Sequence, residues 1–164
     1  MSRNFKARID ENRKLHKTHN LLTISPLSPI PRFEPGQFLM IGLDRGCDPL
    51  LRRPFSVLRA GPNGHQILYR IRGKGTMILS ALQEGSTVDV IGPVGNQYPL
   101  PAQGMTPLLV AGGIGIASLF SLAERLSQKA YIFYGARTGD EIFLLDDLMR
   151  MPRELHRRFD RRVR

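Results

Sequence analysis

Three short stretches of this chain carry residues able to hold a phosphorylated ring system. Arg53-Pro54-Phe55-Ser56 sets a guanidinium beside an aromatic ring and a hydroxyl. That grouping offers a bidentate phosphate donor, a flat surface and a hydrogen bond. Seventeen residues beyond Ser56 begins Gly73-Lys74-Gly75-Thr76. A glycine-rich turn with threonine presents backbone N–H groups and a hydroxyl to a pyrophosphate. Gly112-Gly113-Ile114-Gly115 then closes the apolar run from Leu108 to Ala111. Strand, glycine-rich turn and helix together seat a dinucleotide pyrophosphate on a helix N-terminus. The order reads as a flavin dinucleotide site followed by the start of a nicotinamide dinucleotide site.

Each of these residues also has a plainer reading. Phe55 suits an ordinary core, and Leu68-Tyr69-Arg70 suits an edge strand with one wet face. Gly75-Thr76 suits a helix N-cap, a role threonine fills routinely and one compatible with phosphate binding. His16, His19, His65 and His156 fall at expected loops or ends without metal-ligand spacing, which argues against a metal site. Cys47 is the one cysteine, so an internal disulfide is excluded; in its Gly-Cys-Asp loop it reads as inert. No Ser/His/Asp or paired-carboxylate grouping suggests hydrolysis, and no side chain is assigned a catalytic acid or nucleophile role.

The elements that must position these groups divide near residue 100. Phe5 to Asp10 and Leu21 to Ser25 read as paired strands, Phe38 to Ile41 as a third. Ser56 to Leu58, Gln66 to Arg72 and Thr87 to Ile91 add three more, punctuated by Gly61-Pro62-Asn63-Gly64 and Glu84-Gly85. Six short strands with such turns predict a small antiparallel β-barrel over residues 1–100. Thr76 to Leu82 reads as a short helix opened by the glycine-threonine turn. Gly92-Pro93 and Gly95-Asn96 read as a tight turn without chemistry of its own.

After Pro99 and Pro101 the pattern changes. Leu108 to Ala111 is continuously apolar, the mark of a buried parallel strand. Ile116 to Leu126 has helical spacing, Tyr131 to Tyr134 is a second strand, and Thr138-Gly139-Asp140-Glu141 reads as a capping box opening a helix through Leu148. Residues 101–164 therefore read as a partial α/β nucleotide-binding unit in which no third strand follows Pro152. Such a unit leaves a strand edge and an apolar face uncovered. Leu155, Phe159 and Val163 recur every four residues, and Glu154/Arg158 and Asp160/Arg164 are i,i+4 pairs. These predict a helix over 153–164 that docks on the uncovered unit.

Composition limits the remaining classes. A chain of 164 residues with 41% hydrophobic content can bury a core. No apolar run reaches the roughly 18 residues a membrane span needs, and the first ten residues contain no apolar signal core; a cytoplasmic location is the expectation. The formal charge is +10, but residues 150–164 hold seven arginines against two acids. Half of the net charge thus sits in a basic tail, which argues for a solvated end or a partner contact rather than nucleic-acid reading.

Three segments resemble a known family: Leu50-Leu51-Arg52-Arg53-Pro54-Phe55-Ser56-Val57, Val88-Asp89-Val90-Ile91-Gly92-Pro93-Val94-Gly95-Asn96 and Leu109-Val110-Ala111-Gly112-Gly113-Ile114-Gly115-Ile116-Ala117. They are similar to the ferredoxin reductase superfamily, and within it to the electron-transfer subunits of NAD-linked dihydroorotate dehydrogenases. Sulfide and hydrogenase electron-transfer subunits share these motifs. The likeness runs from about Phe5 to Leu148.

The resemblance implies a ferredoxin reductase-like fold, an FAD-binding barrel followed by an incomplete Rossmann-like domain. It implies that Arg53 holds the FAD pyrophosphate, that Phe55 lies against the isoalloxazine after Pro54, and that Ser56 bonds near flavin N5. Leu68, Tyr69 and Arg70 match the family's second flavin-contact strand, Gly75 and Thr76 its phosphate turn. Gly112, Gly113 and Gly115 would approach NAD(H). Relatives carry a proline where this chain has Ser118, which predicts a looser helix start. The family passes electrons from NAD(H) through FAD and a [2Fe–2S] centre to a catalytic dehydrogenase subunit in a heteromer of pyrimidine biosynthesis. The cysteine ligands of that centre are absent here, since it needs four thiolates. The rival expectation is a truncated flavin-binding remnant or a partner-docking module without turnover.

Overall fold

The computed structural model describes residues 2–43, 51–61 and 64–151, with the backbone of 154–159. The Cys47 loop, Leu50, the Pro62-Asn63 turn, Pro152 and the end beyond Phe159 lie outside the described residues.

Seven antiparallel strands form one curled sheet in the order β4-β3-β7-β1-β2-β6-β5. They are β1 (Arg3–His16), β2 (His19–Pro26), β3 (Phe38–Gly42), β4 (Arg53–Ser56), β5 (Arg59–Gly61), β6 (Gly64–Arg70) and β7 (Thr87–Val94). Alternation drives the curl. Phe5, Ala7 and Ile9 on β1, Leu22 and Ile24 on β2 and Ile67 and Tyr69 on β6 are buried in one cluster with Leu39, Ile41, Val88 and Val90. Period-two apolar residues on several strands can share one interior only if the sheet wraps around it. Helix α1 (Lys74–Ala81) enters the same core through Leu79.

Several boundaries differ from the sequence expectation. The strand expected at Ser56 to Leu58 begins at Arg53, so the Arg-Pro-Phe-Ser segment itself pairs with β3, from Ile41↔Arg53 to Phe38↔Ser56. Pro54 is tolerated because β4 is an edge strand, where a missing N–H costs no ladder bond. The three-residue β5 was not expected at all; Arg59-Ala60-Gly61 is too short and polar to show a period. His16 and His19 lie on strands rather than in loops, and His65 lies on β6. His19 and His65 are 3% and 8% exposed, because their alternation places them inward beside Phe143 and Phe33.

The second unit is a parallel sheet in the order β10-β9-β8, made of β8 (Leu108–Gly112), β9 (Tyr131–Ala136) and β10 (Glu154–Phe159). A 3-10 turn (Gly113–Gly115) leads into α2 (Ile116–Arg125). A third strand therefore exists, contrary to expectation, and Glu154 to Phe159 is not helical. It pairs with β9 from Glu154↔Tyr131 to Phe159↔Ala136. A twelve-residue helix is marginal alone, whereas the open edge of β9 offers unpaired N–H and C=O groups to any extended segment.

The expected capping box also resolves differently. Gly139–Glu141 is a 3-10 turn, Leu144 takes a left-handed conformation with φ 60°, and α3 spans only Leu145–Arg150. Thr138 makes no side-chain cap bond. Instead the Phe143 N–H donates to the Tyr134 hydroxyl at 3.1 Å, which pulls the chain inward and interrupts the helix.

The run from Leu108 to Ala111 is not buried on both faces. Leu109 and Ala111 pack inward, while Leu108 and Val110 are 60% and 67% exposed. Leu109 and Ala111 share a cluster with Phe120, Ile132 and Tyr134, and this cluster also takes in Leu21, Leu58 and Leu68 from the barrel. The two sheets thus meet across one apolar seam, which fixes the cleft described next. No described helix is long and apolar enough to cross a membrane.

Candidate functional site

A cleft of about 380 Å³ opens where β4, β6, the start of α1 and the start of α2 converge. It is lined by Arg53, Pro54, Phe55 and Ser56 from β4, Leu68, Tyr69 and Arg70 from β6, and Thr76 from α1. Opposite them stand Ile114, Gly115, Ala117 and Ser118. Sequence segments 53–56, 68–70 and 76 are thus brought to one place. The volume lies within the roughly 300–1,000 Å³ of small-molecule sites.

The floor is aromatic. Phe55 and Tyr69 meet edge to face, centroids 5.8 Å apart and planes at 78°, a favourable quadrupole geometry. Tyr69 is 1% exposed, and its hydroxyl donates to Asn12 Oδ1 at 3.0 Å. Burial disfavours the phenolate and pushes its pKa up to about 12, so this ring is neutral throughout the physiological range.

Asn12 is a residue that sequence reasoning missed. Its Nδ2 donates to the carbonyls of Leu79 and Leu82 at 2.8 and 3.1 Å. One amide therefore ties the last turn of α1 to the hydroxyl beneath the cleft floor. In sequence it is one more polar residue in Asp10-Glu11-Asn12-Arg13, with nothing to set it apart.

Arg53 and Gly75 form the cationic corner. The Arg53 side chain crosses directly over Gly75: a Cβ there would lie 2.2 Å from Nε and 2.4 Å from Cζ. Arg53 Nη1 donates to the Leu51 carbonyl. Thr76 serves the turn itself. Its hydroxyl accepts from the N–H groups of Arg72 and Gly73 at 2.9 and 3.1 Å and donates to the Gly73 carbonyl at 2.9 Å. The first intrahelical bond runs from Met77 N–H to Gly73, so Gly75 and Thr76 N–H stand ahead of it at the positive end of α1.

The glycine turn after β8 is divided. Gly115 lines the cleft, whereas Gly112 and Gly113 lie outside its lining. A Cβ at any of the three would meet nothing within 4 Å, and Gly113 has φ +50°. The surface there is open to close approach. At the helix start the Ser118 hydroxyl donates back to the Gly115 carbonyl at 3.0 Å. Ile114, Ala117 and Ser118 were not singled out as cleft residues; only the packing of two sheets sets α2 against the barrel.

The arrangement suits a flat ring over Phe55, which Tyr69 backs from the core, and an anion at Arg53 and α1. The glycine that leaves room for the Arg53 guanidinium is the cradle such an anion requires. Among the described residues no cluster of three or more His, Cys, Asp or Glu could hold a metal.

No family model matches the chain. It is 42% identical over 116 residues to the dihydroorotate dehydrogenase B (NAD(+)) electron transfer subunit of Geobacillus sp. (strain WCH70), covering 66% of this chain and 45% of that protein. Its counterpart in Bacillus caldolyticus is 46% identical over 100 residues, 58% of this chain and 39% of that one. The chain thus spans less than half the length of these curated relatives. Among solved structures, the flavohemoglobin of Malassezia yamatoensis superposes with a TM-score of 0.84 at 19% identity, over 94% of this chain and 45% of that one. An NADH-dependent reduced ferredoxin-NADP oxidoreductase superposes with a TM-score of 0.79 at 29% identity, over 92% and 55%. A curled antiparallel sheet followed by a small parallel one, with these likenesses, gives the chain a ferredoxin reductase-like fold and a sequence similar to dihydroorotate dehydrogenase B electron transfer subunits.

Proposed function

We infer that this chain is the flavin-binding part of an NAD-linked electron-transfer subunit, holding FAD in the cleft between the barrel and α2. The observation that carries the reading is the convergence of Arg53, Phe55, Ser56, Tyr69 and Thr76 on one cleft. Arg53 donates to a phosphate oxygen, helped by the N–H groups at the start of α1. Phe55, backed edge-on by the buried Tyr69, presents an apolar face to a planar ring, and Ser56 offers a hydroxyl at its edge. When bound, FAD supplies the conversion between two-electron and one-electron chemistry. No side chain is asked to act as acid or base.

The glycines at 112, 113 and 115 leave the backbone open to NAD(H), with residues 1–100 as the flavin domain and 101–164 as part of the nicotinamide domain. The named relatives support a catalytic dehydrogenase subunit as partner, in a cytoplasmic heteromer. A [2Fe–2S] centre does not fit this chain, which has one cysteine where four thiolates are required. The second reading is a flavin-binding or docking module without turnover. The exposed Leu108 and Val110 favour it, since they leave one face of the small sheet open.

Heating the purified chain and identifying the released flavin by chromatography tests the proposal. FAD is expected, because Arg53 and the α1 turn are two anion-binding elements and a mononucleotide needs fewer. Recovery of FMN alone, or of no flavin after incubation with FAD, would overturn it. Bleaching of the yellow form by NADH separates an active unit from a silent module.

A further inference from the structure

Helix α2 lines the cleft only with its first turn, through Ala117 and Ser118. Its far end is held from the barrel by charged side chains, chief among them Arg59. Arg59 opens β5, an edge strand, and its guanidinium carbon lies 4.5 Å from the centre of the Phe120 ring. Nε donates to Glu124 Oε1 at 2.7 Å, and Nη2 stands 3.5 Å from Asp147 Oδ2. Phe120 is fully buried, while Glu124 and Asp147 are about one-third exposed. A planar cation stacked on a ring while its fork spans two carboxylates is a geometry lysine cannot reproduce. Arg125 pairs with Glu34 at the same end of the helix.

Ser118 and Glu124 are six residues apart, about 9 Å along a helix. A helix this short moves as a rod, so the hold on its last turn decides where its first turn stands over the cleft. The geometry points to Arg59 as a positioning residue that sets the α2 wall of the cleft. Arg53 and α1 hold the anion side without it. The clamp stands on its own contacts; only the ligand that the wall faces rests on the flavin reading above.

The test compares Arg59→Met, Arg59→Lys and Glu124→Gln in the full chain, by hydrogen exchange and by NMR of side-chain methyl groups. Arg59→Met keeps an apolar cover over Phe120 but loses both carboxylate contacts. It should speed amide exchange in Ile116–Arg125 roughly tenfold, the combined scale of a cation–π contact and a part-exposed ion pair. The methyl signals of Ile114 and Ala117, at the cleft end of the unit, should move as well. Arg59→Lys should fall between, and Glu124→Gln should move the same signals in the same direction, which keeps the test alive if Arg59→Met fails to fold. Unmoved Ile114 and Ala117 methyls would overturn the proposal. So would equal movement of Ile67 and Leu79 in the barrel core, since Arg59 would then hold the barrel and not the helix. FAD titration followed by flavin fluorescence is read separately, so a failed flavin reading is told apart from a failed clamp.

Discussion

The guanidinium of Arg53 occupies the space where a Cβ of residue 75 would be, 2.2 Å from Nε. Glycine at 75 is therefore a requirement of Arg53, and on the proposed flavin reading the two positions act as one anion-binding element. Arg53→Ala should weaken FAD binding roughly ten- to a hundredfold, the scale of a lost charged hydrogen bond of about 1.5–3 kcal/mol. Gly75→Ala should produce a loss of the same kind by displacing an intact arginine, and the double variant should be little worse than either single one. Additive losses in a fluorescence titration would show that the residues bind independently.

Asn12 links Tyr69 to the last turn of α1. Tyr69→Phe removes one neutral hydrogen bond and should cost about 1 kcal/mol of folding stability. Asn12→Ala removes the acceptor of the Tyr69 hydroxyl and the side-chain donor to the Leu79 and Leu82 carbonyls, and should cost about 2–3 kcal/mol. A coupling energy near zero in a urea double-mutant cycle would mean that the amide serves only the helix.

The pH profile of stability should fall at both ends. Burial lowers the pKa of His19 and His65, so below pH 6.5 the unfolded chain binds protons that the folded chain refuses. Their contribution is present above pH 6.5 and is lost as pH falls toward the folded values. Tyr69 works in the other direction. Its phenol ionises near 12 when folded and near 10 when unfolded, so stability declines as pH rises through that interval. Urea midpoints should drop in acid less for a His65→Phe variant than for the parent; an identical acid limb would remove His65 from this account.

Removing residues 152–164 should expose the edge of β9 that β10 covers through Glu154–Phe159. Bare edges invite intermolecular pairing, so the shortened chain should aggregate faster and be cut sooner by protease. Equal solubility and equal protease resistance would show that the basic end adds nothing to the sheet. Adding 0.5 M salt separates the cause, because charge repulsion by the seven arginines is screened while backbone pairing is not.

What the sequence determined by itself was local chemistry and period. Arg53-Pro54-Phe55-Ser56 and Gly73-Lys74-Gly75-Thr76 carry the residue types from which the phosphate-and-ring site is proposed, and residue type at close spacing is all that reading needs. Strands β1, β2, β3 and β7 show their alternation in the residues that fill the barrel. Helix α2 was legible because its apolar residues recur at 3.6. Tertiary structure decided what no window of residues contains. Leu155 and Phe159 are four apart, an even interval that fits one face of a strand as well as a helix, and the open edge of β9 selects the strand. Ile114, Ala117 and Ser118 became a cleft wall because the seam of Leu21, Leu58 and Leu68 seats α2 on the barrel. Asn12 and Arg59 act across 57 and 65 residues of separation. Pairings that distant carry no local periodicity, so only the closed fold brings the partners together.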